Sequence, residues 1–328
     1  GSEMCIRDRI LVGSIILMGL FSCSKEDDLD QQITPQKLVS PDLTAYVANT
    51  DQTTSPMTGF LEIYPCTEGT SIYFGNYVED KKTAFNAFYP IENGEIYAGY
   101  YRKLSVPENI YNLVYWGTPV NNNDPIYESP AIKNPEIRID TDLSKLYLEL
   151  RKNSDDDTYK PVFDLVYALR EKNLANEDLS TSLDRVVAGL KVIVKTSNGS
   201  PFSANISKME VRINGIAEKL NFYTAEPENK TKTVKFELKR SADNKQMTTG
   251  TVMLFPSTEN PLLELFITLS DGSTHSVSKN LSSTLSANNR LTLNIIVGDI
   301  FGGGSESGYF TVQNWIESTE TIEFPVIP

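Results

Sequence analysis

Leu265-Phe266-Ile267-Thr268-Leu269-Ser270-Asp271-Gly272-Ser273-Thr274-His275-Ser276-Val277-Ser278 carries the pattern that decides the fold class. Apolar side chains alternate through Leu265, Ile267 and Leu269, so one side of an extended strand faces a core and the other faces water. Asp271-Gly272 then supplies the backbone freedom of a tight turn, and a second alternating run follows. The same signature recurs outward from this hairpin. Ile137-Arg138-Ile139, Leu146 to Leu150, Val234 to Leu238 and Leu291 to Ile295 alternate, and Asn93-Gly94 and Asn198-Gly199 also read as hairpin turns. Leu179, Leu183, Val186, Val187 and Leu190 fit a helical face, but Val192 and Val194 continue in period two and Gly189 would weaken a helix, so a strand is read from about Leu183 to Lys195. Many short strands separated by turns predict an all-β chain built from β-sandwiches. The polar stretch from Asn173 to Ser182 divides an amino-terminal sandwich, residues 41–180, from a carboxyl-terminal one, residues 181–328.

Composition narrows the function. The 328 residues are 40% hydrophobic and carry a formal net charge of −13, which repels phosphate backbones and argues against nucleic acid as a partner. Three cysteines, Cys5, Cys23 and Cys66, exclude a disulfide scaffold and a Cys-rich zinc site. The single histidine, His275, sits in the alternating strand and leaves no material for a His-based metal centre. Ser154-Asp155-Asp156-Asp157 lacks the spaced ligands of a Ca²⁺ loop. Phe301-Gly302-Gly303-Gly304 lacks the Lys and Ser/Thr of a phosphate loop. No two of the 43 acidic residues stand out as a catalytic pair, so no enzyme activity, metal or cofactor is expected. Tyr73, Phe74, Tyr77, Tyr97, Tyr100 and Tyr101 could stack on sugars, but such residues more often fill a sandwich core.

The amino terminus predicts a leader and a tether. Ile10 to Phe21 is an apolar run too short to span a bilayer as a helix, and Arg7 and Arg9 precede it, as in a signal peptide occupying residues 1–22. Gly1 to Arg9 look unlike a natural start. Leu20-Phe21-Ser22-Cys23 resembles a lipobox, whose cysteine becomes lipidated and ends up as the new amino terminus. Several acyl chains on Cys23 would hold stably, since each buried CH₂ adds about 0.8 kcal/mol. Lys25, Glu26, Asp27 and Asp28 look like a signal that sends lipoproteins to the outer surface, and residues 23–40 read as a flexible spacer.

The carboxyl end predicts a coupling element. After the glycine linker, Tyr309 to Ile316 and Thr321 to Phe324 read as strands that can pack at home or pair with another subunit's sheet edge. Phe310, Val312, Trp315, Ile322 and Phe324 are the side chains that such a pairing would use.

Several segments together resemble the FimB-type fimbrial anchor subunits, the lipoproteins that root fimbrillin (type V) pili in Gram-negative outer membranes. They are the lipobox, Val106 to Gly117, Leu183 to Val192, Leu285 to Asn294 and Val312 to Trp315. The resemblance covers nearly the whole mature chain and implies two transthyretin-like β-sandwich domains in tandem, no catalysis, stalk fimbrillin as partner, and a lipid-anchored, surface-exposed place in the outer membrane. Pro107-Glu108-Asn109 departs from the glycine turn expected there. Stalk subunits of the superfamily lose a first strand to a protease that often cuts at arginine. No arginine lies between Arg9 and Arg102, which favours an anchor over a stalk subunit; a stalk or tip subunit stays the alternative within pili. The competing class is a surface glycan-binding lipoprotein, marked by an exposed aromatic cluster. With Trp116 and Trp315 alone, the sequence is poor in the best stacking residue.

Overall fold

The structure is a computed structural model that describes residues 37–49, 53–97, 99–120 and 126–297, and the backbone of two further strands, 308–314 and 319–324. The strands that build the sheets are β1 (Ala45–Ala48), β2 (Gly59–Thr67), β3 (Ala87–Glu92), β4 (Glu95–Ile96), β5 (Ile110–Pro119), β6 (Tyr147–Leu150), β7 (Val166–Asn173) and β8 (Thr181–Arg185). They continue as β9 (Ala188–Thr196), β10 (Ile206–Asn221), β11 (Pro227–Arg240), β12 (Leu262–Leu269), β13 (Thr274–Asn280), β14 (Arg290–Val297), β15 (Gly308–Asn314) and β16 (Thr319–Phe324). Among the described residues the only helical element is a 3₁₀ turn, Leu143–Lys145, so the expected all-β class holds.

Two sheets carry the architecture. In the first, residues 54–56 form a short edge strand beside β1, and the order continues β1, β8, β7, β5, β2, β3, β4, with β1 and β8 parallel and the other neighbours antiparallel. In the second, β6, β10 and β11 lie side by side, residues 247–248 pair with both β11 and β9, and β14, β15 and β16 follow β9, with β9 and β14 parallel. The hairpin β12–β13 attaches to the amino-terminal half of β10, on the side away from β11.

Burial explains the strand composition. Leu61 and Ile63 of β2, Tyr89 of β3, and Leu113 and Tyr115 of β5 fill one core, with Leu183 of β8 closing it. Leu190, Val192, Val211, Ile213, Phe236, Leu265 and Leu293 fill the other. Strands β2 and β5 are unusual in being buried on both faces over part of their length: Tyr64, Cys66, Val114 and Trp116 point away from the first core and join the second. That is why Leu113-Val114-Tyr115-Trp116 reads as a continuous apolar run rather than an alternation.

Three local expectations change. Ile137–Ile139 is not a strand; Asp140, at φ +63°, turns the chain there. Asn198-Gly199 forms a turn, but β9 and β10 on either side of it do not pair, because β9 is flanked by residues 247–254 and β14. The run from Leu183 to Lys195 breaks at Val186–Val187, where the Val186 amide donates to the Leu165 carbonyl at 3.0 Å and the chain passes from the first sheet to the second.

The turns obey their chemistry. Asn93 and Gly94 both adopt positive φ, +52° and +88°, as a type I′ hairpin requires. At Asp271-Gly272 only Gly272 does so, at +86°; its amide donates to Leu269 and the loop closes through Leu269 and Ser273. In the Pro107-Glu108-Asn109 turn no residue needs a left-handed φ, which is why asparagine can stand where a glycine was expected.

Candidate functional site

The terminal hairpin sits at the rim of the second sheet. Strand β15 runs antiparallel to β14, with Leu291 opposite Asn314 and Ile295 opposite Phe310. Strand β16 pairs with β15 alone among the described strands, with Gly308 opposite Phe324 and Gln313 opposite Thr319. Beneath it, β14 buries Leu291, Leu293, Ile295 and Val297 and leaves the intervening residues half-exposed. The backbone of Phe310, Val312, Ile322 and Phe324 therefore lies in this hairpin, while their side chains lie outside what is described. Cys23, Lys25, Glu26, Asp27, Asp28 and Trp315 lie outside the described residues.

A second feature stands on the outward face of the first sheet. The cross-strand register places Tyr167 of β7, Trp116 of β5, Glu62 of β2 and Phe88 of β3 in one row, and Arg102 bridges to Phe88 at its end. Neighbouring strands are about 4.8 Å apart, so the rings of this row lie close beside its charged groups. One end is sealed. The Trp116 indole donates to the Phe222 carbonyl at 3.0 Å, and the Tyr167 hydroxyl donates to the Tyr223 carbonyl. Tyr64 meets Phe222 edge-on at 5.0 Å between centroids. Burial, reinforced by the nearby Glu62 carboxylate, pushes the Tyr64 phenol well above its ordinary pKa.

The other end is open. Phe60, 47% exposed, stacks on Phe88 with 5.5 Å between centroids and 22° between planes. Asn86 donates to Glu62 at 3.1 Å and accepts from the Arg102 guanidinium at 3.1 Å. These rings, with Glu62, Trp116, Asn134 and Leu148, line a groove of about 510 Å³.

The other sequence candidates separate cleanly. Tyr73 is buried, Phe74 and Tyr77 are half-buried, and Tyr97, Tyr100 and Tyr101 are exposed, Tyr100 by 92%; none of the six lines the groove. Asp155 and Asp156 are held by Lys235, each at 2.8 Å, and Asp157 by Lys152 at 2.7 Å. Among the described residues, no group of three or more His, Cys, Asp or Glu side chains could hold a metal. No helix among them is long and apolar enough to cross a membrane. Phe60, Glu62, Phe88 and Arg102 show no signature as a unit in the sequence, since only the pairing of β2 with β3 and the bridge of Arg102 to Phe88 bring them together.

A model of the fimbrillin-A associated anchor proteins Mfa1 and Mfa2 matches residues 37–321. No curated protein matches the chain. Among solved structures, a candidate adhesin from Bacteroides ovatus is 9% identical, covering 87% of this chain and 96% of its own, at a TM-score of 0.52. A candidate adhesin from Bacteroides thetaiotaomicron is 13% identical, covering 90% and 100%, at 0.49. The tip fimbrial protein Mfa3 from Porphyromonas gingivalis, solved with a carboxyl-terminal truncation, is 11% identical, covering 88% and 100%, at 0.39.

Proposed function

Since the chain belongs to the family of fimbrillin-A associated anchor proteins, we propose that this fimbrial accessory subunit is a lipoprotein that anchors or terminates the fibre and couples to the next subunit by β-strand exchange. The family is a structural one, not a family of enzymes, and its members are surface-associated. In this reading Cys23 carries the lipid that holds the protein in the outer membrane, and Lys25, Glu26, Asp27 and Asp28 direct it to the surface. The division into sandwiches at 41–180 and 181–328 belongs to the same reading. It is supported by the two cores, although residues 147–150 pair into the second sheet and residues 181–185 into the first.

The observation that carries the coupling is the terminal hairpin, which among the described strands pairs with the body through β14 alone and ends at a sheet rim. A strand moved to a partner's sheet keeps main-chain hydrogen bonds, each worth about 0.5–1.5 kcal/mol net, so exchange costs little enthalpy. Phe310, Val312, Trp315, Ile322 and Phe324 would supply the apolar side chains at about 1.5–3 kcal/mol each when fully buried.

Truncation before Tyr309 tests coupling. A truncated protein that stays folded and membrane-bound but no longer retains fibres supports the reading; one that retains fibres normally sinks it. Cys23→Ser tests the tether: the variant should leave the membrane fraction, and continued partition with outer membranes would rule out the lipid anchor.

A further inference from the structure

The fimbrial reading makes no use of the groove on the first sheet. Its volume of about 510 Å³ falls within the usual range of small-ligand sites, and so does its construction, mostly apolar with a few polar groups converging on it. From the juxtaposition of the stacked Phe60–Phe88 rings with the linked polar groups Glu62, Asn86 and Arg102, we propose that this groove is a binding site for a neutral saccharide. One sugar ring lies with its C–H face on the aromatic pair, and its hydroxyls reach Glu62 and Asn134.

Each alternative occupant meets an obstacle. A partner's strand cannot add here, because the groove lies on a sheet face and the adjoining edge of β3 is taken. Phe88 and Arg102 exchange main-chain bonds of 2.8 and 3.0 Å, and β4 covers Ile91 and Glu92. A wholly apolar ligand would strip water from the Glu62 carboxylate without replacing its hydrogen bonds, which is costly. An anionic ligand would meet that carboxylate and a chain of net charge −13.

A neutral sugar fits both halves of the surface. Its C–H face gains dispersion contacts on the rings, and its hydroxyls can both donate and accept. The polar groups are already arranged. Arg102 fixes Asn86, which donates to one Glu62 oxygen and holds that carboxylate in place beside the rings. A binding surface ordered before the ligand arrives loses less entropy on binding. Phe60, nearly half-exposed on a surface-associated protein, is otherwise an apolar ring presented to water without return.

The test titrates the full chain with maltoheptaose, mannohexaose, cellohexaose and chitohexaose, and with heparin as an anionic control, by calorimetry and by Trp fluorescence. At least one neutral oligosaccharide should bind with a dissociation constant on the order of 10⁻⁴ M. Phe60→Ala should weaken it about tenfold or more while the melting temperature stays near that of the parent. Phe88→Ala should do the same if it folds, and Phe60→Ala decides if it does not. Tyr100→Ala, outside the groove, should bind as the parent does. Binding to none of the four neutral sugars overturns the proposal. So does undiminished binding in Phe60→Ala, or binding of heparin in preference to all four.

Discussion

The Arg185 guanidinium grips the Asp164 carboxylate in two parallel hydrogen bonds, Nε to Oδ1 at 2.8 Å and Nη2 to Oδ2 at 3.0 Å, where the chain leaves the first sheet for the second. Both side chains are shielded, with 16% and 3% of their surfaces exposed. A third group joins them from the loop before β14: Arg185 also donates to the Asn288 side chain at 3.4 Å. Sequence segments more than a hundred residues apart are thus tied at the crossing.

Removing one partner of a shielded ion pair leaves the other charge without its counter-ion, at a cost of about 3–5 kcal/mol. Arg185→Met and Asp164→Asn should each lower the denaturant midpoint accordingly. The double variant Arg185→Met with Asp164→Leu should recover much of the loss, because no charge is then stranded. Single variants that unfold at the parent's midpoint would show that the pair is not holding the crossing.

The buried acids predict an alkaline limit to stability. Burial, with a smaller push from Asp142, raises the Cys66 thiol to about 12 from an ordinary 9.0. Burial likewise raises the Tyr89 phenol to about 12 from 10.0, against the opposing effect of the Leu104 amide that donates to it. Both groups are neutral when protonated, and the folded state keeps their protons to higher pH than the unfolded state does. Stability is therefore full below about pH 9 and falls as pH rises from there towards 12, since above that point the unfolded chain binds fewer protons. Denaturant midpoints measured between neutral pH and about pH 11 should decline across the upper half of that range, and tyrosinate absorbance should appear together with unfolding. A flat profile would contradict the sign.

Gly59 opens β2 at φ +143°, and a Cβ there would lie 2.2 Å from the Thr118 carbonyl oxygen, a backbone atom of the paired strand β5. Gly59→Ala should therefore cost about 2–4 kcal/mol, combining backbone strain with overpacking. Gly199→Ala supplies the contrast. Its φ is +69°, but nothing lies within 4 Å of the added carbon, so the loss should be nearer about 1 kcal/mol. Equal melting temperatures for the two variants would refute this ordering.

How much the sequence revealed follows from the range of each interaction. The β12–β13 hairpin was legible because its partner residues are near in sequence and its alternation is unbroken, as Leu265 opposite Val277 and Ile267 opposite His275 bear out. The break at Val186–Val187 was not, because apolar residues continue through it; a distant carboxylate at Asp164 and the carbonyl of Leu165 make the chain cross there. The row from Trp116 to Arg102 was equally hidden. Its members come from separate strands, and a slip of one residue in any register would turn its contribution to the opposite face.

A covalent lock separates a terminal hairpin that must leave from one that only ends the fold. Thr292 of β14 and Gln313 of β15 are directly opposed. Opposed residues of antiparallel strands have Cα atoms about 4.5–5.5 Å apart, within the span that a disulfide bridges. Thr292→Cys with Gln313→Cys should thus form a covalent lock between the hairpin and the body. Cys66 should not interfere, because it is fully buried. If β15 and β16 couple subunits by exchange, the oxidised variant should be folded, at least as stable as the parent, and unable to retain fibres, and a mild reductant should restore retention. Each single-cysteine variant should retain fibres under both conditions. Full retention by the oxidised, disulfide-verified variant would mean that coupling does not require the hairpin to leave β14, and the strand-exchange reading would have to be abandoned.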